Sequence, residues 1–283
     1  MDSEIPLVNS VLHPTDFSDA SNRAFAHALA IALLRQTELT ILHVGAESRD
    51  NVAWSSFPQV RQTLERWNLL EPGSERSAVY EELDVEVRKV GVPSRNPIRA
   101  TIQLLDHQPH DLVVLATEGA EGREKWLYQS EAEAIARGSN AMTLFVPSRS
   151  HHGFVSLEDG DLNLKNVLIP IDAAIDFTAA IEFSRRAAEI IGDGDVVITL
   201  LHVGEQMPLL PELPEGSGWT WQTASRQGEP VESILAAAEE LTADLIVMTT
   251  NGRDTLNQAL SGSTTERVLR NAKCPVLAVP DGK

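Results

Sequence analysis

The sequence predicts an α/β protein made of parallel βαβ units, present twice in tandem. Three observations predict it. Short apolar runs bounded by polar residues, such as 113–116 and 245–248, alternate with stretches whose apolar residues recur at helical spacing. The connections are short, which suits parallel strands with crossover helices between them. The third observation is internal repetition. VLHPTD at 11–16 returns as VLIPID at 167–172, LTILHV at 39–44 as ITLLHV at 198–203, DLVVLAT at 111–117 as DLIVMTT at 244–250, and 129–147 as 262–280. The order is the same in both halves. The last two blocks share one offset, 133 residues (244 − 111 and 262 − 129), which marks a duplication of units of ordinary domain size.

In the first copy, residues 10–13 read as a short strand. Asp16-Phe17-Ser18 then turns into a helix whose apolar face holds Phe25, Ala28, Leu29 and Ala32. Residues 39–44 are the second strand. A helix is expected over 58–70, with Pro58 near its first turn, and a third strand over 85–90. Pro97 opens another helix, with Ile98, Thr101, Ile102 and Leu105 on one face. Residues 113–116 are the fourth strand, 132–137 a helix and 142–146 the fifth strand.

Residues 149–165 are a polar linker between units 1–148 and 166–283. Within it, Gly153-Phe154-Val155 and Leu162-Asn163-Leu164 flank an EDGD turn, so a small hairpin is expected. The second copy begins at Val167, and Ala180, Phe183, Ala187, Ala188 and Ile191 line its first helix before a strand over 196–203. Here the copies diverge. The stretch 204–218 holds Pro208, Pro211, Pro214 and Gly216, so the helix between the second and third strands is expected to be missing. An acidic, proline-rich loop replaces it, either a lid over a ligand or a plain surface loop. The third strand follows over 219–225, then a helix carrying Pro230, Val231, Ile234, Leu235 and Ala238.

The chain has 283 residues, 42% of them hydrophobic, and a formal net charge of −18. That field repels nucleic acid and anionic membranes, so neither is an expected partner. No apolar run has the length of a membrane span, and the opening MDSEIPLVNS has no basic segment or apolar core, so a cytoplasmic protein is expected. The single cysteine, Cys274, forms no intrachain disulfide and reads as a core residue. His151 and His152 in the linker read as solvated rather than metal-binding. His43 and His202 end the second strand of each copy, and their repetition points to a hydrogen bond at a strand end rather than to catalysis.

Residues 245–280 run from a strand through a glycine-bearing loop to a helix start and a last strand. Glycines let backbone N–H groups approach an anion, and a helix start supplies unpaired donors, to which Ser263 and Thr264 add hydroxyls. The same residues equally suit an ordinary loop with a Ser/Thr helix cap. In so acidic a chain, an anion would need local donors, a nearby cation or a metal ion.

Taken together, four features resemble the universal stress protein family in its tandem form, over nearly the whole chain. The first strand ends in PTD or PID, the second in LHV, the fourth leads to a glycine loop, and the chain closes on GSTTERVLRNAKCPVLAVP. The resemblance implies two Rossmann-like domains of the adenine nucleotide alpha hydrolase-like type, each a five-stranded parallel sheet of order 3-2-1-4-5. For one branch of the family it implies binding of ATP, or of AMP or ADP, through the pattern G-x2-G-x9-G-[S/T], with Mg2+ held through the phosphates. Gly252 and Gly262-Ser263 match the middle and end of that pattern, while Thr249 stands at its first glycine. The first copy has Ala116, Gly119 and Gln129-Ser130 at these places, with Glu118, Glu121 and Glu124 nearby.

By resemblance, Asp172 contacts the adenosine part and the backbone at Val203 the adenine edge. Gly252, Gly262, Ser263 and Thr264 hold the phosphates, and Pro170, Ile171, Met248, Thr249 and Asn251 line the same crevice. Asp16, Val44, Gly119 and Ser130 are weaker counterparts in the first domain. Both aspartates also suit helix N-caps. In sheets of this order the C-terminal ends of strands one and four flank the ligand crevice.

Two functions are expected from this. One is a stress-response protein that binds an adenine nucleotide, chiefly in the second domain. The other is a scaffold that binds none and acts through protein contacts. No general base is paired with a nucleophile, no Walker-type lysine follows the glycines and no carboxylates cluster for magnesium, so turnover is expected to be absent or slow. The family pairs domains through the last strand, which implies that 143–147 and 276–280 pair within one chain as a pseudo-two-fold unit, with a homodimer of whole chains left open.

Overall fold

The computed structural model describes residues 8–45, 54–117, 132, 134–136, 138–139, 141–148, 153–192, 194–250 and 264–280. The first unit runs β1 (Ser10–Pro14), α1 (Asp19–Arg35), β2 (Glu38–Gly45), α2 (Val60–Arg66), α3 (Ala78–Glu81), β3 (Val87–Pro93), α4 (Pro97–His107), β4 (Leu112–Thr117) and β5 (Met142–Pro147). The second runs β6 (Asn166–Ile171), α5 (Thr178–Ile191), β7 (Val196–Val203), β8 (Trp219–Arg226), α6 (Pro230–Glu240), β9 (Leu245–Thr250), α7 (Thr264–Asn271) and β10 (Val276–Pro280). Residues 132, 134–136 and 138, between β4 and β5, are helical, as expected.

All the described strands lie in one sheet, β3-β2-β1-β4-β5-β10-β9-β6-β7-β8. Each half has the order 3-2-1-4-5 with parallel neighbours. The halves join through β5 and β10, which are antiparallel, with Leu277 opposite Leu144. Those two leucines are equivalent positions in the repeat, so a pseudo-two-fold axis passes between them. The last strands thus pair within one chain, and each closes the other's open edge.

Local signals set the element ends. Ser18 caps α1 by accepting the N–H of Ser21, and the helix stops at Gln36, whose backbone is left-handed. Asn96 caps α4 ahead of Pro97. β4, β5 and β9 carry nearly unbroken apolar runs because helices cover both faces of the middle of the sheet. β8, at the edge, is half exposed along its length.

Two details differ from the sequence reading, and a third extends it. The third strand of the first unit is Val87–Pro93, two residues later than expected, because its register with β2 runs from Leu39↔Val87 to Gly45↔Pro93. The helix expected over 58–70 is only Val60–Arg66, since Asn68 turns left-handed (φ 57), although Trp67 and Leu70 beyond it remain buried. Between β7 and β8 there is no helix, as expected, but the loop is anchored. Met207, Leu210 and Leu213 pack on the core, and the Pro214 carbonyl accepts the indole N–H of Trp221 at 2.9 Å and of Trp219 at 3.4 Å.

The linker forms the expected hairpin, closed by a Val155↔Leu162 bridge. It straps onto the first unit. The Trp67 indole donates to the Leu157 carbonyl at 3.2 Å, and Phe154 meets His27 edge to face. Gly160, at φ +80, lies so close to Trp67 that a Cβ there would sit 2.4 Å from the ring.

The core on each face of the sheet is continuous across the seam. One face joins Val11 and Leu144 to Val247 and Leu277, the other Leu12 and Phe145 to Ile246 and Ala278. Cys274 is buried in the second of these, as read. Among the described residues, no helix is long and apolar enough to cross a membrane.

Candidate functional site

The sheet opens where its winding reverses. β6 keeps register with β7 from Asn166↔Val197 to Ile171↔His202, but with β9 only at Val167↔Leu245 and Leu168↔Ile246. Beyond those pairs the C-terminal ends of β6 and β9 separate. β1 and β4 do the same, pairing at Val11↔Leu112 and Leu12↔Val113 alone. A doubly wound sheet receives ligands in this crevice.

Pro170 and Ile171 end β6, and Asp172 stands exposed just past them. Its Oδ1 accepts the Ala174 N–H at 2.8 Å, so the carboxylate holds its own turn and does not cap α5. Val203 ends β7 half-buried; the next carbonyl, Gly204, accepts the Gln227 side-chain amide at 2.9 Å. Met248 and Thr249 lie at the end of β9, each 7% exposed. Thr249 Oγ1 is buried and has no hydrogen-bond partner among the described residues. A hydroxyl left so costs about 1–3 kcal/mol, so a ligand or loop atom that paired with it would be stabilised there. Thr264 is exposed at the start of α7. Asn251, Gly252, Gly262 and Ser263, with Gly119 and Ser130 of the first unit, lie outside the described residues.

The two strand-end histidines behave as their repetition suggested. His43 Nδ1 is 2.8 Å from the Thr15 carbonyl and His202 Nδ1 is 3.2 Å from the Ile171 carbonyl, so each ties the second strand to the end of the first. The sequence reading missed the glycines after them. A Cβ at Gly45 would lie 3.0 Å from His43 Nε2, and one at Gly204 2.6 Å from His202 Nε2. The signal was present, since the block LHVG, not LHV, recurs in both copies.

The same corner of the first unit is built differently. Asp16 Oδ1 accepts the N–H and hydroxyl of Ser18, at 3.0 and 2.6 Å, and it is Ser18 that caps α1. Phe17 stacks on His43, with centroids 4.0 Å apart. Phe57, 1% exposed, meets Phe17 edge-on at 5.3 Å, Trp54 stacks on Phe57 at 5.5 Å, and Lys89 Nζ lies 5.8 Å from the Phe57 ring. The rings thus pack together over His43 at the ends of β1 and β2, next to Asp16 in sequence. In the second unit Phe17 is replaced by the exposed Ala173, and no residue corresponds to Phe57, because the segment that carries it is absent there.

Among the described residues, three arginines of the second unit are held in ion pairs. Arg267 pairs with Glu229 at 2.5 Å, Arg226 with Glu240 and Arg270 with Glu266. Among the described residues no group of three or more His, Cys, Asp or Glu side chains is placed to hold a metal ion.

Fold and crevice define the class: a tandem pair of Rossmann-like domains joined through their last strands. The sequence pattern of the universal stress protein family matches residues 8–147 and 212–280, and the chain belongs to that family. A universal stress protein of Methanocaldococcus jannaschii is 29% identical over 153 residues, which are 45% of this chain and 88% of the relative. One from Synechocystis is 27% identical over 142 residues, 43% of this chain and 88% of the relative. Both relatives therefore have the length of one unit. The crystal structure of a universal stress protein from Archaeoglobus fulgidus matches 98% of this chain and all of its own length, with a TM-score of 0.61 at 18% identity. That likeness carries the tandem fold.

Proposed function

We propose that the chain is a stress-response protein that binds an adenine nucleotide in the crevice of its second domain, with little or no turnover. The observation that carries this reading is the contrast between the two crevices. Both open where the first and fourth strands separate, but at the end of its first strand the first unit carries Phe17, locked in a ring cluster with His43 and Phe57, while the second carries the exposed Ala173 and, at Thr249, a buried hydroxyl with no hydrogen-bond partner among the described residues. Asp172 would hold the adenosine part, the Val203 backbone the adenine edge, and Thr264 with Gly252, Gly262 and Ser263 the phosphates. Mg2+ would be carried through the phosphates. The bound nucleotide supplies negative charge at the strand ends; the chain's own residues bind and orient it.

Titration of ATP with Mg2+ by calorimetry, beside a Gly262→Asp variant, tests the reading. About one equivalent bound, and lost in the variant, supports it. Two equivalents would place a working site in the first domain as well.

One observation favours a second reading, a scaffold that binds no nucleotide. Thr249 puts a side chain where the family pattern has its first glycine. Absence of binding heat, and of nucleotide carried through purification, would decide for the scaffold.

A further inference from the structure

The first unit crosses from β2 to β3 through α2 and α3. The second crosses from β7 to β8 with residues 204–218 alone, GEQMPLLPELPEGSG. Pro208, Pro211 and Pro214 stand at every third place in it. Each proline fixes its own φ at about −65° and drives the residue before it to extended backbone. From Met207 to Pro214 that restricts every residue except Leu209 and Glu212. None of these residues has a positive φ, and none lies in a helix or strand. A run so restricted is a polyproline II helix, with about three residues per turn and a rise of about 3.1 Å per residue.

The burial has the same period. Met207, Leu210 and Leu213 form an inner row, half-buried against the core. Gln206, Leu209, Glu212 and Glu215 form an outer row, every one exposed, Leu209 at 97%. The prolines form the third row, with Pro211 exposed between the half-buried Pro208 and Pro214. The far end is pinned, since the Pro214 carbonyl takes both indole N–H groups and a Cβ at Gly216 would lie 2.2 Å from the Trp219 ring. A lone exposed leucine needs no explanation. Here the leucine stands among prolines on the outer row of a helix that its inner row holds in place.

The outer row is also acidic. Glu205, Glu212 and Glu215 are all exposed, and residues 204–218 contain no Lys, Arg or His. Among the described residues, none of the three glutamates is in an ion pair.

We propose that the segment from Pro208 to Glu215 is a docking ligand for another protein, one with a shallow groove lined by Tyr or Trp and bordered by Lys or Arg. Leu209 and Pro211 lie on the aromatic rings, and Glu212 and Glu215 meet the cations. Proline-rich chains suit aromatic grooves because they arrive already extended and lose little entropy on binding. The anchored inner row completes that preorganisation. The acidic row sets the sign of the partner, since a basic border attracts it and an acidic one repels it. A second copy of this chain would bring the same acidic row and a net charge of −18, which opposes self-association through this face. The proposal stands whether or not a nucleotide binds in the crevice.

Two measurements on the full chain test it. The first is 15N relaxation with amide exchange. Leu209, Leu210, Glu212 and Leu213 should show order parameters of about 0.85, as in the strands, while the amides of Leu209 and Glu212 exchange fast because a polyproline II backbone stays solvated. Order parameters below about 0.6 would make the segment a mobile loop and overturn the proposal.

The second places photo-reactive benzoylphenylalanine at position 209, in cells that make the chain, and sequences the crosslinked peptide. That peptide should come from a different protein and hold Tyr or Trp close to Lys or Arg. The purified partner should bind the chain one to one. Leu209→Ala should weaken it about tenfold or more. Glu212→Lys with Glu215→Lys should do the same, and neither variant should lower the melting temperature. The absence of an adduct overturns the proposal. So does an adduct whose peptide lacks aromatic or basic residues, or binding that the charge reversal leaves unchanged. An adduct to this chain itself overturns it too, by assigning the segment to a second copy or to a cover over its own crevice.

Discussion

Phe17 lies face to face with His43, the rings 4.0 Å apart and 20° from parallel, on a backbone (φ 66) that residues other than glycine rarely adopt. The stack and the edge contact with Phe57 hold that conformation in place. Phe17→Ala keeps the backbone strain and loses the rings. Phe17→Gly loses the rings and releases the strain. Glycine should therefore be the more stable replacement by about 1 kcal/mol, the reverse of the usual order. Phe57→Ala, at a fully enclosed ring, should cost about 3–5 kcal/mol. Urea denaturation of the three variants measures this. Equal stability of the two replacements at 17 would mean that the left-handed backbone carries no strain.

Two buried histidines set the acid limit of stability. Burial holds His13 and His27 near a pKa of about 4, against 6.5 for the free side chain. As pH falls below 6.5 the unfolded chain takes up a proton on each ring that the folded chain refuses until about pH 4. Stability is thus fully present above pH 6.5 and declines down to about pH 4, by about 1.4 kcal/mol per pH unit for each histidine. His27 Nε2 has no partner among the described residues, and its Nδ1 bonds only the Arg23 carbonyl one turn back. His27→Leu should leave stability at pH 7 unchanged or higher and remove about half of the slope between pH 4 and 6.5. Thermal melts across that range check it, and an unchanged slope would count against His27 as a titrating group.

The repeat, the strand runs and the missing helix were all legible in the sequence, because each rests on local pattern: block identity, apolar continuity, prolines at 208, 211 and 214. The third strand was misplaced by two residues because Val85, Val87, Val90 and Val92 recur without a boundary marker, and only pairing with Leu39 selects the register. The ring cluster was not legible. Phe17 read as part of a turn and Phe57 as the residue before a helix, and nothing local says that both meet His43. Asp172 and Thr249 were singled out by the resemblance alone, and that the Thr249 hydroxyl lacks a hydrogen-bond partner among the described residues is a property of burial, which no local pattern reports.

Cys274 should be chemically silent in the native protein. Burial first, and the negative charge of Asp244 second, push its thiol up to about 12, and its exposure is 4%. The thiolate is the reactive form, and at neutral pH almost none is present. A disulfide reagent such as dithionitrobenzoate should titrate no thiol in the folded chain and one in denaturant. Rapid reaction without denaturant would mean that the region around α7 and β10 opens readily.

Because Leu144 and Leu277 face each other at the seam and both core faces run across it, the two units should unfold together. Two domains joined only by a linker would melt in two steps. Here the joined sheet makes the interface part of each core, so loss of one unit strips burial and strand pairing from the other. Calorimetry should show a single transition whose van't Hoff and calorimetric enthalpies agree. Leu144→Ala removes a fully buried side chain from the first unit and should lower stability by about 2–5 kcal/mol. The decisive feature is how it does so. The transition should move to lower temperature as one peak, carrying the second unit with it. A variant that split the melt, with the second unit left at its original temperature, would show the seam to be a contact between independent domains rather than a shared core.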